Sequence, residues 1–130
     1  MKVVALDFGF ARTGVAVSDP TGMLARPVGV VEKAGTEAGL QKVVAAIREH
    51  EAAPVVVGLP LTLRGGRGEQ AKATEKFVAQ LRAAVDVPVE TFDERFTTTL
   101  ASKSGGRGEE DARAAAHLLS SYLEWQSTRR

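Results

Sequence analysis

Four carboxylates fall at the ends of what read as structural elements. The stretch VVALDFGFARTG (residues 3–14) climbs through an apolar run to Leu6 and stops on Asp7, with glycines at 9 and 14. A strand apolar enough for the middle of a sheet has no reason to end on a charge that is costly to bury unless something compensates it. Asp93 and Glu94 follow a second apolar run, VPVETF (87–92), and Asp111 opens the stripe of the last helix. Crowded together, such acids repel one another and their pKa values rise unless a cation neutralises them. Ligation by oxygen alone suits Mg²⁺ or Mn²⁺. Two such ions about 4 Å apart form the clamp that hydrolyses phosphodiesters.

Taken singly, each acid has a plainer use. Asp7 can accept hydrogen bonds from the amides of the turn that follows it. Asp111 in a first helical turn is favoured by the helix dipole. Asp93 or Glu94 can form a surface ion pair with Arg95, and the residues leave open which of the two is the ligand. Their convergence is what points to chemistry.

Around the acids stand groups suited to phosphate. Gly9 permits close backbone approach, Gly14 lets the next strand start tightly against the first, and Arg12 sits in the same turn, placed to hold a phosphate. The segment GGRGE occurs at 65–69 and again at 105–109, each time before a helix. It reads equally as a soluble lead-in to a helix or as an arginine-bearing loop whose free amides meet phosphate. Arg64, Arg67, Arg95 and Arg107 are therefore candidate phosphate contacts. Thr97 and Thr98 are candidates for hydrogen bonds to a nucleic-acid backbone, or for helix capping. His50 and His117 have no partner ligands at metal spacing.

The elements that must position these groups follow from hydrophobic period. Residues 2–8 read as a central strand, apolar on both faces. Residues 14–18 and 23–31 read as a hairpin joined by the turn residues SDPTG, and Pro27 makes the second of them an edge or bulged strand. Thr36 caps a helix to about residue 51, with Leu40, Val43, Val44 and Ile47 on one face. A buried strand, APVVVGLP (53–60), ends at Gly58 and Pro60. A helix over 69–84 turns Phe77, Val78 and Leu81 inward. A strand at 87–92 and a helix from about 109 complete the order β-β-β-α-β-α-β-α. A meander followed by alternating units predicts an α/β fold of ribonuclease H-like architecture, with a mixed five-stranded sheet flanked by helices. Strands one, four and five then point the same way, and ligands of open α/β sheets collect outside their carboxyl ends.

The bulk properties restrict the alternatives. With 130 residues the chain reads as a single domain spanning 1–130. The absence of cysteine removes disulfides and thiolate metal sites and suits a reducing, cytoplasmic setting. No secretory signal pattern and no apolar run near the roughly 18 residues of a membrane span is present, so no membrane partner is expected. A net charge of +1 means that nucleic-acid binding must come from local arginine placement.

Four stretches in order, ALDFGFARTGVAVSD (5–19), VVGLPLTLRGGRGEQAKATEKFVAQL (56–81), DERFTTTLA (93–101) and EDARAAAHLLSSYL (110–123), resemble the YqgF family, also called RuvX, of Holliday-junction-resolvase-like proteins and pre-16S rRNA nucleases. The resemblance spans nearly the whole chain. It implies a ribonuclease H-like fold, a divalent-metal nuclease, and work on the 5′ end of pre-16S rRNA in ribosome biogenesis, with structured RNA or branched DNA as substrate and ribosomal proteins as possible partners. It would make Asp7, the acids at 93 and 94, and Asp111 the catalytic metal ligands. The chain departs from the family pattern in three places. Ala11 stands where a basic residue is common, Arg64 replaces an acid, and only 18 positions separate Asp93 from Asp111, where a longer basic segment is usual.

Two other classes compete. An actin-like ATPase opens with a similar D-x-G turn but needs a second phosphate-binding turn, and neither that nor a GxxxxGK[ST] pattern is present. A binding module that keeps the fold without catalysis is disfavoured by acids at all three expected places.

Overall fold

In the computed structural model the described residues are 2–61, 66, 68–96 and 107–129, the side chains of Phe96 and of residues 107–109 excepted. Five strands form one sheet: β1 (Val4–Asp7), β2 (Arg12–Ser18), β3 (Ala25–Glu32), β4 (Val55–Leu59) and β5 (Val89–Asp93). The strand order is β3-β2-β1-β4-β5. β1 is central, antiparallel to β2 and parallel to β4, which is parallel to β5. β3 lies at the edge, and its pairing with β2 slips between Val15 and Ala16, beside Pro27. Proline lacks the ladder donor, so an edge strand with a bulge is where it costs least.

Side chains alternate across the sheet, and the two faces receive different helices. Val4, Leu6, Val15, Val17, Val55, Val57 and Val89 form one cluster with Leu40, Val43, Val44 and Ile47 of α1 (Glu37–His50) and Phe77, Val78 and Leu81 of α2 (Glu69–Ala84). On the opposite face Val3, Ala5, Ala16, Val56 and Phe92 pack against Ala115, Leu118, Leu119 and Tyr122 of α3 (Arg107–Thr128). Each fully buried Leu, Ile, Val or Phe contributes about 1.5–3 kcal/mol of transfer free energy. α1 begins as the residues dictate: the Thr36 hydroxyl accepts from the Gly39 N–H at 3.2 Å. α3 starts two residues earlier than its stripe suggests, at Arg107, because a first turn needs no buried face. Among the described residues, no helix is long and apolar enough to cross a membrane.

The β2–β3 turn is held by Asp19, whose carboxylate accepts from the Thr21 hydroxyl and from the amides of Met23 and Leu24. At the other end of the sheet, β1, β4 and β5 terminate together on Asp7, Leu59 and Asp93.

Candidate active site

Alternation decides which acids meet. Ala5 faces α3, so Asp7, two residues on, does too. Phe92 packs on Tyr122 and Trp125 of α3 with ring centroids 5.7 Å apart in each case, which turns Asp93 to the other face and brings Glu94 back. Glu94 opens a short 3₁₀ turn (Glu94–Phe96) after β5. Its carboxyl is hydrogen-bonded to the Asp7 carboxylate. Burial, then the charge of Asp7, then that hydrogen bond and the charge of Asp93 push Glu94 up to about 8. Burial also raises Asp7; the bond from Glu94 opposes the rise and the negative charge of Asp111 adds to it. Two carboxyl groups so placed share one proton and titrate as a unit.

Two glycines make room for this pair. A Cβ on Gly58, which lies within β4, would stand 2.5 Å from Glu94 Oε1, 2.9 Å from its Cγ and 3.0 Å from Leu118 Cδ2. The Glu94 side chain thus occupies space that any other residue at 58 would fill. A Cβ on Gly14 would collide with the Asp111 carbonyl oxygen. Gly14 therefore admits the first turn of α3, a closer contact than the strand-to-strand one its position suggests. That Gly58 belongs to the site was not legible as a motif; it reads as a strand terminator. Its spacing of two from Val56, on the α3 face, was the available signal.

The other predicted groups divide. Asp111 lies beside the pair closely enough for its charge to act on Asp7, and its Oδ2 accepts from Arg12 Nε at 2.5 Å. Arg12 is thus engaged with an acid of the site, where phosphate was expected. Asp93 turns outward and takes the Arg95 guanidinium in a fork, with Nη2 to Oδ2 at 2.5 Å and Nε to Oδ1 at 3.0 Å. The bonds from Arg95 hold Asp93 below the usual carboxylate range. The local ion pair expected of this segment thus falls to Asp93, and Glu94 is left for Asp7. Gly9 shapes the β1–β2 loop: a Cβ there would stand 2.5 Å from the Arg12 carbonyl oxygen. Arg64, Arg67, Thr97 and Thr98 lie outside the described residues, and of Arg107 only the backbone is described.

Among the described residues, no three His, Cys, Asp or Glu side chains are arranged to hold a metal ion. The donor set still fits a hard divalent cation. Asp7 and Glu94 offer oxygen only, both carboxyls are pushed above their ordinary range by burial and neighbouring acids, and a cation would relieve that repulsion. Asp111 is the neighbouring third acid, now neutralised by Arg12.

Comparison with known proteins gives the chain's family and fold. The RuvX family, described as Holliday junction resolvase, matches residues 1–125. The chain belongs to the RuvX family. A relative from Roseiflexus sp. (strain RS-1), named "Putative pre-16S rRNA nuclease", is 37% identical over 96% of this chain and 95% of its own. One of the same name from Anaeromyxobacter sp. (strain Fw109-5) is 40% identical over 95% of this chain and 97% of its own. Among solved structures, Thermus thermophilus RuvC in complex with a Holliday junction substrate superposes with a TM-score of 0.63 at 18% identity, covering 98% of this chain and 96% of that one. This RuvX chain has the ribonuclease H-like fold, and its paired acids stand at the carboxyl ends of central β1 and edge strand β5.

Proposed function

We propose that this chain is a divalent-metal-dependent nuclease, a single ribonuclease H-like domain that hydrolyses phosphodiester bonds in the processing of the 5′ end of pre-16S rRNA in the cytoplasm. The observation that carries the reading is the Asp7–Glu94 pair at the carboxyl edge of the sheet with Asp111 alongside. The family and the names of the relatives above supply the nucleic-acid substrate. Asp7, Glu94 and Asp111 would hold Mg²⁺ or Mn²⁺, and Asp93 holds Arg95 in place. A divalent cation bound there polarises the scissile phosphate and lowers the pKa of the attacking water.

The side chains of the chain do the rest. Glu94, held above its ordinary range beside Asp7, would have to give up its proton for both acids to act as ligands. Arg12, bonded here to Asp111, would be available to a phosphate oxygen in a charge-assisted bond if Asp111 served as a ligand instead. Arg95 is held at the same edge by the Asp93 fork.

The test incubates the purified chain with a precursor rRNA fragment and, separately, with a four-way DNA junction, with and without Mn²⁺. Cation-dependent cleavage of the RNA that is lost in Asp7→Asn is expected, with Ca²⁺ a poor substitute for Mn²⁺ or Mg²⁺. Cleavage of the junction alone transfers the reading to a DNA resolvase, as the family description says. Binding without cleavage of either leaves a non-catalytic nucleic-acid module. Cleavage unchanged in Asp7→Asn overturns the site.

A further inference from the structure

Phe10 is 64% exposed, on the loop that joins β1 to β2, three residues after Asp7 and two before Arg12. Water is a poor environment for a phenyl ring, and this one does not merely dangle. Its edge meets Phe8 with centroids 6.3 Å apart and planes at 67°. Phe8 in turn stacks on Phe77 of α2 at 4.7 Å and 22°. The loop beneath is tied at both ends. The Gln70 side-chain amide donates to the Phe8 carbonyl at 3.0 Å, and the Lys33 N–H donates to the Ala11 carbonyl at 2.9 Å. Phe10 is thus the outer member of a ladder of three rings on a braced support, set into the turn whose ends are Asp7 and Arg12. Such bracing lowers the entropy lost when a ligand lands on the ring.

Among the described residues the other large exposed apolar side chains lie elsewhere. Met23 and Leu24 are in the β2–β3 turn, Val28 is on the edge strand, and Trp125 on α3 lies under the Arg129 guanidinium at 4.5 Å. Among the described residues Phe10 alone of these is on the loop that follows Asp7, at the sheet edge of the acids but with its ring toward α2. A flat ring at the same sheet edge as a phosphate-handling site, on its α2 side, can meet a flanking nucleobase by its π-face. In a continuous duplex those faces are covered by neighbouring base pairs, whereas bases in loops, bulges and strand ends are open.

We propose that Phe10 is a stacking platform for one unpaired base next to the scissile phosphate, so that the substrates of this site carry an unpaired nucleotide there. The proposal rests on the nuclease reading for its choice of ligand, and its test does not depend on cleavage. Base–aromatic stacking corresponds to about a five- to hundredfold change in affinity per base.

The probe is a short RNA duplex with a single-stranded overhang carrying 2-aminopurine at successive positions, compared with the same duplex fully paired. Binding is followed by fluorescence in an Asp7→Asn background. Quenching at one overhang position is expected, kept with Phe10→Trp and lost with Phe10→Ala and Phe10→Leu, with a five- to hundredfold weaker Kd for the overhang substrate only. Unchanged melting temperatures of the variants show that the exposed ring has been removed without unfolding. Quenching that survives Phe10→Ala, or an equal loss of affinity for paired and overhang duplexes, overturns the platform. Absence of cleavage by the wild-type chain while the Phe10-dependent quench persists overturns the nuclease reading and leaves the platform standing. Binding to neither RNA overturns both.

Discussion

On the face covered by α1 and α2 the strands offer Val4, Leu6, Val15, Val17, Val55, Val57 and Val89; under α3 they offer Ala5, Ala16, Val56 and, on β5, Phe92, flanked toward the site by Gly14 and Gly58. The first face is filled by branched and aromatic side chains from two helices. The second has been hollowed so that one helix comes close, with the first turn of α3 lying where a Gly14 side chain would be. The large residues hold the sheet together. The small ones bring Asp111 to Asp7 and let Glu94 fold in over Gly58. A single sheet thus separates stability from chemistry by the parity of its strands.

If that division is right, substitutions on the two faces fail in different ways. Removing an acid of the pair, by Asp7→Asn or Glu94→Gln, should lower cation-dependent cleavage by more than the ~100-fold that loss of an outer-shell partner reaches. Melting of the cation-free protein should not fall, because a buried acid repulsion is relieved. Steady-state cleavage and thermal denaturation check both parts.

Leu81→Ala, on the α1/α2 face, should cost about 2–5 kcal/mol in urea unfolding, yet leave cleavage per folded molecule near wild type. A matching loss of cleavage at full folding would break the comparison.

The two glycines sharpen it further. Gly14→Ala drives a methyl into the backbone of α3 and should destabilise by about 1–3 kcal/mol. Gly58→Ala meets chiefly a flexible side chain, which can yield. Its stability cost should therefore be smaller than that of Gly14→Ala, while displacement of Glu94 weakens cation affinity by roughly 10–100-fold. Paired unfolding curves and calorimetric cation titrations separate the two.

The smallest effect is on pH. Glu94, ordinarily near 4.5, titrates at about 8 in the fold, facing Asp7 and Asp93, with Asp111 and Arg12 beyond Asp7. Between those values the native state holds a proton that the unfolded chain has released, so stability is fully present below 4.5 and is lost as pH rises towards 8. The melting temperature without cations should fall over this window, and Glu94→Gln should flatten the fall. Divalent cations should restore stability most at the alkaline end, releasing about one proton on binding at neutral pH. Titrations in buffers of different ionisation enthalpy measure that release.

Much of this was visible in the residues. The apolar spacing of α1, α2 and α3, the turn chemistry of Asp19 and the edge position of the proline-bearing strand are local properties, and the structure repeats them. Which of Asp93 and Glu94 faces Asp7 was within reach as well, since Phe92 is the bulky apolar residue of β5 and alternation sends its neighbour-but-one to the same side. The partner of Arg12 was not, because a guanidinium suits a phosphate and a carboxylate equally and only the approach of α3 supplies the carboxylate.

The sequence by itself determined the order of elements, the parallel alignment of β1, β4 and β5, and the presence of acids at the carboxyl ends of β1 and β5. These follow from period, turn residues and handed connections, all of which act over short stretches of chain. Only the tertiary structure decided that Glu94 meets Asp7, that Asp93 is occupied by Arg95 and that Asp111 is held by Arg12. Those pairings depend on how closely two surfaces approach, and that distance is set by packing volume summed over residues far apart in the chain.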